Sequence, residues 1–101
     1  MLAVGPTSVR ADVVVSAVAW GTRLDLVCSY AAGQDEYEGS ASAEYALVIR
    51  TRDGRDEEVA TWWGLPGRTM RLSAATATSR SDIETVELRT ATGDVVLRLA
   101  I

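Results

Sequence analysis

The 101-residue chain predicts an all-β fold, a seven-stranded antiparallel β-sandwich, on three observations. Apolar and polar residues alternate with a period of two along most of its length, the mark of half-buried strands. Three pairs of such segments fold back on each other across turn residues, so that apolar side chains meet apolar ones. With 48% hydrophobic and 24% charged residues, the chain is also too apolar for a disordered tail and has the length of one domain, 1–101. Residues 1–7 precede the first alternating stretch and read as a disordered leader outside the fold.

The first hairpin joins Val9–Ala19 to Thr22–Tyr30 around Trp20-Gly21. A two-residue loop there places Val13 opposite Cys28, Val15 opposite Leu26 and Ala17 opposite Leu24, on one wholly apolar face. The other face carries Asp12, Ser16, Arg23 and Asp25, with Val14 and Val27 among them. The second hairpin, Glu44–Arg52 with Asp56–Trp63, turns at Asp53-Gly54, where glycine tolerates a positive φ. It sets Tyr45 opposite Trp62, Leu47 opposite Ala60 and Ile49 opposite Glu58, while Val48 meets Val59 and Arg50 meets Glu57 on the reverse face. A further strand, Thr69–Ala75, turns Met70, Leu72 and Ala74 inward. Ser81-Asp82-Ile83-Glu84 has capping-box spacing and predicts a single helical turn. The third hairpin, Glu84–Thr90 with Val95–Ile101, pairs Leu88 with Leu97 and Val86 with Leu99, leaving Glu87 and Arg98 together on the solvent side.

Seven short alternating strands bury their apolar faces by packing as two antiparallel sheets. Pairing the first, second and fifth strands against the other four, an analogy of order and spacing, gives the arrangement of fibronectin type III and immunoglobulin-like modules. Trp62, Tyr45, Leu47, Leu26, Cys28 and Leu88 are the expected core.

The residue inventory narrows the chemistry. The chain has no His, Lys, Asn or Phe, and all ten basic residues are Arg. Cys28 stands alone, so it can form neither an internal disulfide nor the four-ligand set of a structural zinc site. Ser-His, Cys-His and Ser-Lys nucleophile pairs cannot be assembled, and we expect no catalytic residue, no cofactor and no metal. A formal charge of −4 speaks against nucleic acid as a partner, which calls for a basic footprint. No apolar run approaches the roughly 20 residues of a membrane helix, so these residues are not expected to insert into a bilayer.

Three features invite a binding role. Asp35, Glu36 and Glu38 surround Tyr37 in one loop; calcium favours such oxygen clusters, but the spacing matches no EF-hand and a solvated loop is the better reading. Trp62 and Trp63 are neighbours on a strand and must face opposite ways. The hairpin register sends Trp62 inward and Trp63 outward beside Glu44, unless the stems of Arg50 or Arg52 cover its ring. Trp63 and Tyr37 are therefore the candidate contacts for an unidentified protein partner. Trp20 is expected to plug one end of the sandwich, and Cys28 to be an inert buried thiol.

Four stretches carry a resemblance: Trp20-Gly21-Thr22-Arg23-Leu24 through Cys28-Ser29-Tyr30; Tyr45-Ala46-Leu47-Val48 through Ala60-Thr61-Trp62; Leu65-Pro66-Gly67-Arg68-Thr69; and Asp82-Ile83-Glu84-Thr85-Val86-Glu87-Leu88-Arg89. Together they resemble the C-terminal β domain of zinc-containing anti-sigma factors from high-GC Gram-positive bacteria. In that family an N-terminal helical domain with a His/Cys zinc motif grips the sigma factor, and a C-terminal domain beyond a linker or membrane helix senses or regulates. The resemblance thus implies a non-catalytic regulatory domain, on the extracytoplasmic face of a membrane-anchored parent or alternatively in the cytoplasm. Sigma binding would belong to an N-terminal domain that these residues do not include. The other reading is a free-standing fibronectin- or immunoglobulin-like protein-interaction module.

Overall fold

The computed structural model describes residues 1–5, 7–30 and 43–101. Its strands are β1 (Leu2–Ala3), β2 (Val9–Val18), β3 (Gly21–Tyr30), β4 (Ala43–Thr51), β5 (Asp56–Gly64), β6 (Thr69–Thr76), β7 (Ile83–Thr90) and β8 (Val95–Ala100). They form two antiparallel sheets, β1-β8-β7-β4-β5 and β2-β3-β6. The expected grouping is present, with β2, β3 and β6 on one side and the other strands opposite. Among the described residues there are eight strands instead of seven, because Leu2 and Ala3, within the stretch read as a leader, pair with Arg98 and Leu97 of β8. Two residues are too short to register as alternation, so the sequence carries no strand signal there.

The core lies between the sheets. Leu24, Leu26, Cys28 and Ala74 from the three-stranded sheet meet Leu47, Ile49, Trp62, Val86, Leu88 and Leu97 from the five-stranded one. The third hairpin has the expected register, Leu88 against Leu97 and Val86 against Leu99. The helical turn is shorter than expected: a 3₁₀ turn covers Arg80–Asp82, no side chain caps it, and Ile83 and Glu84 already belong to β7. Burying Ile83 completely in the core outweighs continuing a helix.

The first hairpin differs from expectation by two residues. Ala11 faces Cys28, Val13 faces Leu26 and Val15 faces Leu24, because the two-residue loop is Ala19-Trp20 and Gly21 is drawn into the strand opposite Val18. A shift of two leaves every side chain on its expected face. Trp20 stays in the turn, but it is 56% exposed there and plugs nothing. Gly21 has φ +144°, and a Cβ there would lie 2.1 Å from the Thr76 carbonyl oxygen. Only glycine allows β3 to run this close to β6 at its first residue.

A bulge alters the second hairpin. Tyr45 faces Trp62 and Leu47 faces Ala60 as expected, but the register then shifts, so that Val48 faces Glu58, Ile49 faces Glu57 and Arg50 faces Asp56. A straight register would set Glu58 in the core against Ile49, an unpaired buried charge. The extra residue, Val59, packs against the core instead. Glu58 moves to the outer face, and Glu57 takes the side expected of Glu58. The Glu57 carboxylate accepts bonds from Thr76 Oγ1 at 2.8 and 2.9 Å and from Thr78 Oγ1 at 3.0 Å, tying the β5 edge of one sheet to β6 of the other.

The free edge of β2 is guarded. The strand is ten residues long with unbroken register and no proline, the kind of edge that templates pairing with another chain. Its outward backbone groups are partly taken: Thr7 Oγ1 accepts from the Val9 N–H at 3.1 Å, and Arg80 Nε donates to the Val15 carbonyl at 3.1 Å. Arg80→Ala is therefore expected to increase concentration-dependent self-association, read as a shift to larger species in sedimentation velocity relative to the parent chain. Unchanged sedimentation at equal concentration would show that Arg80 does not guard this edge.

Candidate functional site

The outer face of the five-stranded sheet divides into two territories. Across β4, β7 and β8, Val48, Glu87 and Arg98 stand in one cross-strand row. Glu87, expected on the solvent side, is instead 1% exposed. Its carboxylate accepts from Arg89 Nη2 at 2.5 Å and from Arg98 Nε at 2.9 Å. Arg89 also reaches Asp56 at 3.1 Å, and Arg50 lies 3.9 Å from the same carboxylate. Three arginines thus neutralise two carboxylates, and Ala46 and Val48 are buried although they face outward. Buried charges persist when paired and hydrogen-bonded in this way.

The second territory lies where β4 and β5 meet the end of β7, bordered by Arg89 opposite Ala46, whose guanidinium is drawn to Glu87 and Asp56. Trp63 stands opposite Glu44 and is 59% exposed. The bulge at Val59 brings Glu58 to the same face as Thr61 and Trp63. A shallow hollow of about 210 Å³ opens between Glu44, Ala46, Glu58, Thr61 and Thr90. Neither Glu44 nor Glu58 pairs with an arginine among the described residues. Arg50 is engaged with Asp56, and Arg52 Nε donates to the Ser81 carbonyl at 2.8 Å, so neither stem is drawn over the Trp63 ring.

Trp63 is held in place from inside. Trp62, 7% exposed, packs with Tyr45 at a ring separation of 6.4 Å, and Tyr45 stacks on Tyr30 at 5.3 Å. The Trp62 indole N–H donates to the Tyr30 hydroxyl. On the other side of Trp63, Gly64 sits against the same rings: a Cβ there would fall 2.6 Å from Tyr45 Cε2 and 2.8 Å from Tyr30 Cε1. Both chain neighbours of Trp63 are thus anchored in the core.

The remaining candidates have their groups occupied. Leu26, Leu47, Leu88 and Cys28 are buried, and burial pushes the Cys28 thiol up, away from the thiolate a nucleophile needs. Burial likewise raises the Tyr30 and Tyr45 phenols, leaving the cluster neutral. At the opposite end, a larger hollow of about 680 Å³ lies between the β4–β5 turn and the segment after β6. Its Asp53 accepts from the Thr51 hydroxyl and pairs with Arg55 at 3.2 Å, which lowers its pKa. Among the described residues there is no group of three His, Cys, Asp or Glu able to hold a metal. Tyr37 and the calcium candidates Asp35, Glu36 and Glu38 lie outside the described residues.

Sequence reasoning named Trp63 but missed Glu58 as its neighbour. The available signal was a conflict: a straight register put Glu58 against Ile49 in the core, and such a conflict calls for a bulge. Comparison of the chain with models of known families, with curated proteins and with solved structures finds no match.

Proposed function

We propose that this domain is a non-catalytic, fibronectin type III-like interaction domain that binds a protein partner through the sheet face around Trp63. In the anti-sigma-factor-like parent implied by the resemblance, it serves as the C-terminal regulatory domain, and the sigma factor contacts a separate domain. The grouping of β2, β3 and β6 against β5, β4, β7 and β8 supports the fibronectin type III reading. The binding reading rests on one observation: a tryptophan 59% exposed on a sheet, with both chain neighbours fixed in the core. A large amphipathic ring carried on backbone fixed at both neighbours makes an effective interface anchor.

Affinity capture from the source cell with the wild-type domain and Trp63→Ser tests this. The variant is expected to bind the captured partner about 30-fold more weakly, the effect of losing a hot spot of about 2 kcal/mol. Equal retention by both proteins would remove Trp63 from the interface.

A further inference from the structure

A second contact surface lies on the three-stranded sheet, away from Trp63, at the open edge of β2. We infer that this edge pairs with β2 of a second copy of the chain, antiparallel about Val14, once Arg80 releases the Val15 carbonyl. The contact is independent of the Trp63 face.

The backbone supplies the first part of the argument. β2 pairs with β3 in unbroken register from Val9 to Val18, so its backbone groups point alternately toward β3 and toward the open edge. Bonds at Val9, Ala11 and Val15 identify the odd-numbered residues as those facing the edge. Thr7 Oγ1 accepts from the Val9 N–H, the Met1 amino group donates to the Ala11 carbonyl at 3.1 Å, and Arg80 Nε donates to the Val15 carbonyl. Val13 lies between them, and among the described residues nothing bonds its edge-facing N–H or carbonyl. Arg80 is exposed, so the Val15 carbonyl is held by a side chain that is free to swing away. Free groups at mid-strand beside a removable guard make a template for another strand.

Side chains select the occupant and its register. Two copies of one edge meet about a two-fold axis, with edge-facing residues opposite edge-facing residues. On the outer face of β2, Val14 is 63% exposed among Arg10, Asp12 and Ser16. An axis at Val14 sets it against Val14 of the second copy and Asp12 against Ser16. Each Val13 then exchanges both backbone bonds with a Val15. An axis at Val13 would put Val14 opposite Asp12, and one at Asp12 would bring two like charges together. An axis at Ala11 would set Arg10 against Asp12, but it calls for the atoms that Met1 and Thr7 hold. Charge does not oppose the contact. Although the chain carries −4, this sheet face presents Arg10, Arg23 and Arg71 against Asp12 and Asp25.

Cysteine trapping tests both the contact and its register. Facing residues that exchange no backbone bonds lie about 4.5 Å apart at Cα, within reach of a disulfide. Val14→Cys is therefore expected to form a linked dimer on mild oxidation of the folded protein. Asp12→Cys is expected to form about fivefold less, because Ser16 faces it. The parent chain is the blank, since its Cys28 is buried. Adding Arg80→Ala to Val14→Cys should raise the trapped dimer about threefold or more, the worth of a freed acceptor. In the Arg80→Ala chain, Val14→Arg is expected to restore the monomer in sedimentation velocity. Equal trapping at positions 12 and 14 would mean random collision and overturn the pairing. So would no dimer from Val14→Cys even with Arg80→Ala, or association that survives Val14→Arg. Trapping that Arg80→Ala leaves unchanged would overturn the part given to Arg80.

Discussion

Trp62→Ala is expected to destabilise the domain by about 3–5 kcal/mol, the cost of emptying a large aromatic site in a packed core. The indole is 7% exposed, stacks with Tyr45 and donates its N–H to the Tyr30 hydroxyl, so truncation leaves a cavity and takes a donor from a buried phenol. Against a typical domain stability of about 5–15 kcal/mol, the loss should be plain in urea denaturation. Trp63→Ala, one residue away, is expected to stay within about 0.5 kcal/mol of the parent, since its ring lies mostly in water. If the second substitution cost more than the first, the register of the second hairpin would be displaced by one residue.

Gly21→Ala should be comparably severe for a different reason. Here nothing is removed; a single methyl is added 2.1 Å from the Thr76 carbonyl oxygen and 2.9 Å from the Ala77 Cα, at a backbone φ of +144°. Backbone at that contact cannot rotate aside as a side chain can, so β3 must separate from β6 or the turn must rearrange. A loss of about 3 kcal/mol or more is expected, combining conformational strain of about 1–3 kcal/mol with the lost strand contact. Gly54→Ala is the matched control. Its φ of +88° is also unfavourable for alanine, but its Cβ would meet nothing within 4 Å, so only about 1 kcal/mol should be lost. Thermal unfolding of the three proteins side by side would show whether the close approach, beyond the dihedral, governs the cost at Gly21.

Much of this architecture could be read from residue order. Alternation identified the long strands, and the Asp53-Gly54 turn and the short connection between Thr90 and Val95 fixed which strands pair and, near Trp62 and Leu88, in what register. The first hairpin was less determined, because Trp20-Gly21 and Ala19-Trp20 loops differ by an even shift that burial patterns cannot distinguish. What the pattern could not supply were features set by three-dimensional neighbours. Glu87 is buried because Arg89 and Arg98 fold over it, and β1 is a strand only because β8 offers an edge. The candidate site shows the same division. Trp63 follows from parity along the strand; Glu58 reaches its side only through the inserted residue, and alternation has no symbol for an insertion.

That insertion has a consequence for how the chain tolerates change in length. Strand pairs with simple alternation can slide by two residues and still bury apolar side chains. In β5 such a slide would carry the bulge away from Val48 and set carboxylates against Ile49 and Leu47. The irregularity therefore acts as a key cut at one position, admitting one alignment of β4 and β5. Deleting Val59 would be a different event from substituting it: the pair would straighten with Asp56, Glu57 and Glu58 still opposite Arg50, Ile49 and Val48. The hairpin thus holds its register through one surplus residue, whose loss would leave its neighbours in place yet free to slide.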